Sequence, residues 1–89
     1  MNESKGKYWR TSDRYLAAYL FTKGAVLVGI EAHDATVIFS FIDSLHRGQL
    51  VEDFGCGKSL VSARVYASIL RDFEDKATDV LMEAYAGNR

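Results

Sequence analysis

Seven apolar residues in a row, Tyr15-Leu16-Ala17-Ala18-Tyr19-Leu20-Phe21, lie between the polar group Thr11-Ser12-Asp13 and the stop Lys23-Gly24. A helix that is apolar nearly all round must be covered on more than one side. In so short a chain the remaining segments are therefore wrapped on it. Thr11 or Ser12 is placed to cap the helix, accepting bonds from backbone amides that lack a helical partner. Asp13 in the first turn complements the positive end of the helix dipole. Gly24 suits the C-terminal stop, where a left-handed conformation is cheap only for glycine. These signals predict a helix over 12–23.

Before this helix, Lys7-Tyr8-Trp9-Arg10 alternates polar and bulky residues and reads as a short strand, and residues 1–6 read as a loose tail. After it come two apolar, β-branched segments, 25–31 and 36–42, joined by Ala32-His33-Asp34-Ala35 as a hairpin. On the second strand Val37, Phe39 and Phe41 share one face, with Thr36, Ile38, Ser40 and Ile42 on the other. On the first, Val26, Val28 and Ile30 oppose Leu27, Gly29 and Glu31. One face of the hairpin is plainly a core face. The other is only half polar, and wants more helices or a partner.

A weak helical stretch starts at Asp43 or Ser44, carries Leu50, Val51 and Phe54 on one side, and ends at Gly55-Cys56-Gly57. The strongest periodic signal comes last. Tyr66, Leu70, Phe73, Ala77, Val80 and Ala84 recur at alternating steps of four and three, widened by Ile69 and Leu81. Ser62 is the cap and Gly87 the stop, so a helix is predicted over 63–86, roughly 36 Å long. A seven-residue strand spans only ~24 Å, so the helix overhangs the hairpin. The chain contains no proline to break it. The expected fold is α+β, (β)-α-β-β-α-α, an antiparallel hairpin packed against helices with a long C-terminal helix. It forms one small domain over 1–89, of which 76–86 is a helical extension.

Composition sets limits on function. A single cysteine, Cys56, makes no internal disulfide, and the first residues lack the apolar core of a signal peptide. No apolar run approaches the ~20 residues that cross a bilayer. A cytoplasmic protein without membrane association is expected. The net charge of −1 is unevenly spread: residues 1–24 carry +3, residues 25–57 carry −4, and residues 58–89 are neutral. A basic start beside an acidic middle steers a polyanion to one face, or brings two copies together.

The run Tyr8-Trp9-Arg10-Thr11-Ser12-Asp13, followed by Leu16-Ala17-Ala18-Tyr19-Leu20 and Gly24, resembles the opening of a family of short bacterial, archaeal and phage-borne domains of unknown function. The same family shows a Phe-x-Phe-x-Asp run, here Phe39-Ser40-Phe41-Ile42-Asp43, and then the pattern Phe54, Gly57, Val61, Ala63, Tyr66. The resemblance covers residues 8 to about 73. It implies kinship of fold and no particular activity. Similar proteins stop soon after the position of Phe73, whereas this chain continues through Asp79, Val80, Leu81 and Tyr85.

Several chemistries are weighed and set aside. Gly55-Cys56-Gly57-Lys58-Ser59 imitates the end of a phosphate-binding loop. The full pattern needs a glycine where Glu52 stands, and Glu52-Asp53 repels phosphate. A helix stop and turn is the better reading. His33, His46 and Cys56 are not paired at metal-ligand spacing, so neither a metal nor a cofactor is expected. A Cys56–His46 nucleophile pair is the weakest reading, and no catalytic residue is assigned. Asp13 and Asp43 sit where helix caps sit.

Two surfaces carry the functional expectation. Ala77, Val80, Leu81 and Ala84 on the last helix either pack on the hairpin or form a homodimer interface, since small alanines let helix backbones approach closely. On the dimer reading, truncation after Asp75 leaves a folded monomer. Lys7, Trp9, Arg10 and Arg14, interleaved with Tyr8 and Tyr15, are candidates for contact with a partner or with nucleic acid, because aromatics stack on bases and cations neutralise phosphates. The slightly acidic pI of 6.1 argues against a dedicated nucleic-acid domain. The expected function is thus a non-enzymatic protein-interaction module, homodimeric through its last helix or the exposed hairpin edge. The phage or mobile-element setting that only the family resemblance implies fits a small regulator or inhibitor of a host protein. The alternative is a nucleic-acid-binding regulator.

Overall fold

A computed structural model describes residues 7–87, in the order β1 (Tyr8–Thr11), α1 (Arg14–Thr22), β2 (Leu27–His33), β3 (Thr36–Ile42), α2 (Arg47–Gly55) and α3 (Ala63–Gly87). This is the expected α+β order, and the tail expected over 1–6 lies outside the described residues. The hairpin is one part of a three-stranded antiparallel sheet, β1-β3-β2, with β3 in the middle.

The apolar run does form the central helix. Leu16, Ala17, Ala18, Tyr19 and Leu20 are all buried, so the middle of α1 is covered all round, while Tyr15 and Phe21 at its ends are partly exposed. Its start falls later than the 12–23 reading, because Asp13 rather than Thr11 or Ser12 is the cap. The amides of Tyr15 and Leu16 donate to its Oδ1 at 3.0 and 3.2 Å. Thr11 Oγ1 in turn accepts from the Asp13 amide. Gly24 follows the helix with φ +97°, the left-handed turn that glycine permits.

Alternation fails in one place, on β2. The register steps from Leu27↔Phe41 directly to Gly29↔Ser40, leaving Val28 as the extra residue of a β-bulge. The expected grouping of Val26, Val28 and Ile30 on one face is therefore broken. Leu27 and Ile30 pack against the core, while Val26 and Val28 are exposed. The hairpin link is also shorter than expected. His33 pairs with Thr36, which leaves only Asp34-Ala35 in the turn, with Asp34 at φ +57°. Aspartate tolerates this conformation better than most side chains.

Trp9, Leu27, Ile30, Val37, Phe39 and Phe41 project from one face of the sheet into the core. On that side Leu50, Val51 and Phe54 of α2, Phe73 and its neighbours on α3, and α1 close over them. Phe73 stacks on Phe39 at 5.4 Å and meets Phe21 edge-on at 5.5 Å. The Tyr66 hydroxyl donates to the Tyr15 carbonyl at 3.0 Å, tying α3 to α1. Ser62 takes its expected place at the start of α3, its Oγ accepting from the Val65 amide at 3.3 Å. The molecule is only 18 Å deep in its thinnest direction, room for one sheet and one layer of helices.

Candidate interaction surface on the open face of the sheet

Because side chains alternate along a strand, the residues that do not enter the core all emerge on the opposite face. In-register pairing arranges them in rows: Tyr8 beside Ile42, then Arg10-Ser40-Gly29, then Ile38 beside Glu31, then Thr36 beside His33. No described residue of a helix belongs to this face. Tyr8, Val28 and Ile42 remain 51%, 49% and 44% exposed. Such a set of large apolar side chains on one flat surface is not the scattered exposure of an ordinary exterior.

The middle row shapes the surface. Gly29 has no side chain and Ser40 a small one, so a hollow of about 270 Å³ opens there, bounded by Tyr8, Arg10, Val28, Glu31 and Ile42. A second depression of about 500 Å³ lies further along the strands, lined by Arg10, Glu31, His33 and Ile38. Arg10 and Glu31 border both. They stand on the two outer strands with β3 between them, and among the described residues they form no ion pair with each other. Among the described residues the Glu31 carboxylate pairs with the exposed His33 ring, at 3.3 Å.

The four residues of the basic and aromatic cluster are spread apart. Arg10 lies on the open face, whereas Trp9, its neighbour on β1, points to the helix side. There the Arg47 guanidinium covers the Trp9 ring at 5.0 Å. Arg47 is itself held by Asp43, with Nε to Oδ1 at 3.0 Å and Nη2 to Oδ2 at 3.2 Å. That bidentate bond keeps the Asp43 carboxyl below its ordinary pKa and raises Arg47. Arg14, at the start of α1, pairs with Glu74 of α3 at 3.1 Å and lies 4.7 Å from the Tyr15 ring centre. Lys7 is exposed, and its carbonyl accepts from the Asp43 amide.

The residues of α3 assigned to a dimer interface, Ala77, Val80, Leu81 and Ala84, are half-buried. Ala77 and Leu81 line a groove of about 510 Å³ with Val37 and Phe39, while Leu81 and Ala84 face the Asp34-Ala35 turn. The open side of that helix carries Val65, Met82 and Tyr85 instead. His46 and Cys56 flank opposite ends of α2, roughly 15 Å apart at the helical rise. Cys56 Sγ donates to the Glu52 carbonyl. Among the described residues no group of three potential metal ligands gathers.

The half-polar back surface is legible in the sequence, but its middle row is not: β1 lies side by side with β3, which sets Arg10 in one row with Ser40 and Gly29, diagonal to Glu31.

The fold and this surface define a class: a small α+β domain whose three-stranded sheet is covered by helices on one face only. The chain belongs to the family DUF5659, a domain of unknown function, whose model matches residues 6–79. The match runs past Phe73, where the resemblance in the sequence fades, and takes in the middle of α3. No curated protein and no solved structure matches the chain. No helix among the described residues is long and apolar enough to cross a membrane.

Proposed function

We propose that this protein is a non-enzymatic protein-interaction module that acts as a homodimer, with the open face of the sheet as its docking surface. The observation that carries the reading is the exposure of Tyr8, Val28 and Ile42 together on a face that no helix covers. Covering these side chains removes apolar surface from water without any rearrangement of the core. In the phage or mobile-element setting that the family resemblance implies, such a module regulates or inhibits another protein in the cytoplasm.

The nucleic-acid reading has less support. Of its four residues, Arg14 is paired with Glu74 and Trp9 is covered by Arg47, so among the described residues these four do not line up as one basic track with free aromatic faces. A photo-crosslinking residue introduced at position 42 tests the proposal in the intact chain. Protein adducts from position 42 are expected. Adducts from position 84 but none from 42 would move the surface to α3. A shift of DNA or RNA that weakens steeply with salt would favour the nucleic-acid reading instead.

A further inference from the structure

Resting on that reading of the open face, we infer that its occupant is a second copy of this chain, related by a two-fold axis parallel to β3. The argument starts from charge. Arg10 stands on one outer strand and Glu31 on the other, with β3 between them. A two-fold axis along β3 turns one sheet over onto the other and exchanges the outer columns, so that β1 of each copy lies over β2 of its partner. Arg10 then faces the column of Glu31 twice, once in each direction. An axis across the strands would instead lay β1 on β1 and β2 on β2, so that Arg10 shares a column with the partner's Arg10 and none with Glu31. The charge pattern selects the first arrangement, which also keeps the strand directions nearly aligned, as in stacked antiparallel sheets.

Shape agrees with charge. A two-fold axis along the strand preserves the rows, so Arg10 descends over the partner residue that shares its row, and that residue is Gly29. Glu31 is one side-chain repeat further on, ~6.6 Å, within reach of an arginine. Tyr8 is brought into the partner's row of Ile42, beside the hollow that Val28 borders. Within one chain nothing requires glycine at position 29. Its φ is not in the left-handed region, and a Cβ built there meets nothing within 4 Å. Glycine inside a strand marks a bulge or the close approach of another group. Here the backbone conformation does not demand it, and the missing side chain leaves room for the incoming arginine. Two strands of seven residues and one of four present a face smaller than about 14 × 23 Å, so the association is weak.

Sedimentation of the full chain over a concentration series tests this. The wild type is expected to pass from monomer to dimer. Arg10→Glu and Glu31→Arg should each weaken the dimer by at least about tenfold, since each puts two like-charged pairs in contact. Mixing the two variants should restore it, because only a mixed dimer contains two opposite pairs. A wild type that stays monomeric overturns the inference, as do reversals that associate like wild type or a mixture no stronger than its components. Circular dichroism checks that each variant is folded. If a reversal unfolds the chain, Arg10→Gln and Glu31→Gln serve, their mixture recovering one of the two pairs. Crosslinks from position 42 to a different protein, with a monomeric wild type, would remove the second copy while leaving the docking surface in place. An absence of protein adducts from position 42 would remove both.

Discussion

The two faces of the same sheet are built from alternate residues of the same three strands, yet they meet opposite conditions. Phe39 and Phe41 are 1% exposed, while Ile42, next in the chain, is 44% exposed. The covered face is closed by three helices of its own chain and supplies most of the stability. The open face holds comparable side chains that no helix among the described residues covers. A small domain gains stability from every apolar group it buries, and the three described helices all lie against one face. What is left over on the other face is available for recognition.

The comparison is broken most easily at β3. Phe39→Ala removes a buried ring stacked on Phe73 and should cost about 3–5 kcal/mol, a large part of the stability of a small domain. Ile42→Ser, on the open face, should cost under about 1 kcal/mol. Urea denaturation of both variants checks the pair, and equal losses would mean that the faces are not distinct. Next in size is Asp13→Ala, which takes the cap from the helix that the covered face packs around. A loss of about 1 kcal/mol is expected in the same measurement.

Asp43 sharpens the comparison through pH. Folding lowers its pKa through the bond from Arg47, so the unfolded chain takes up the proton first. The stabilisation is complete above the ordinary carboxylate range and is lost as pH falls through the lowered value. Asp43→Asn should therefore be less stable than wild type near neutral pH by up to about 1 kcal/mol, with the gap closing below about pH 4. Thermal melts across that range read it out.

Gly29→Val should act in opposite directions on the two properties. A β-branched residue suits a strand better than glycine, so stability should rise by about 0.5 kcal/mol while sedimentation shows weaker self-association. A variant that associates as wild type would break the link between the open face and the dimer. The smallest effect belongs to the exposed Arg14–Glu74 pair. Glu74→Gln should leave the denaturation midpoint unchanged, in contrast to any change beneath the helices.

Much of the architecture can be read from the chain. The long run 15–21, the glycine at 24 and the four-three spacing from Tyr66 to Ala84 are local signals, and each produced a helix close to its expected span. The strand 36–42 was legible for the same reason. β2 was less so, because a bulge obeys the demands of its neighbour rather than its own alternation. The candidate surface was half legible. A fairly apolar back face followed from Ile38 and Ile42, but the members of its middle row are far apart in sequence, at positions 10, 29 and 40.

Local chemistry therefore determined by itself where the helices lie, which residues of β3 enter the core, and that the other face of the hairpin is only half polar. Those outcomes depend on spacing within a few turns or a single strand. Only the tertiary structure decided that β1 joins the sheet beside β3, that Val28 is pushed out of register, and that Arg10 and Glu31 flank an empty Gly29. Pairing between distant strands fixes those positions, and backbone hydrogen bonds between strands leave no mark in the order of the residues.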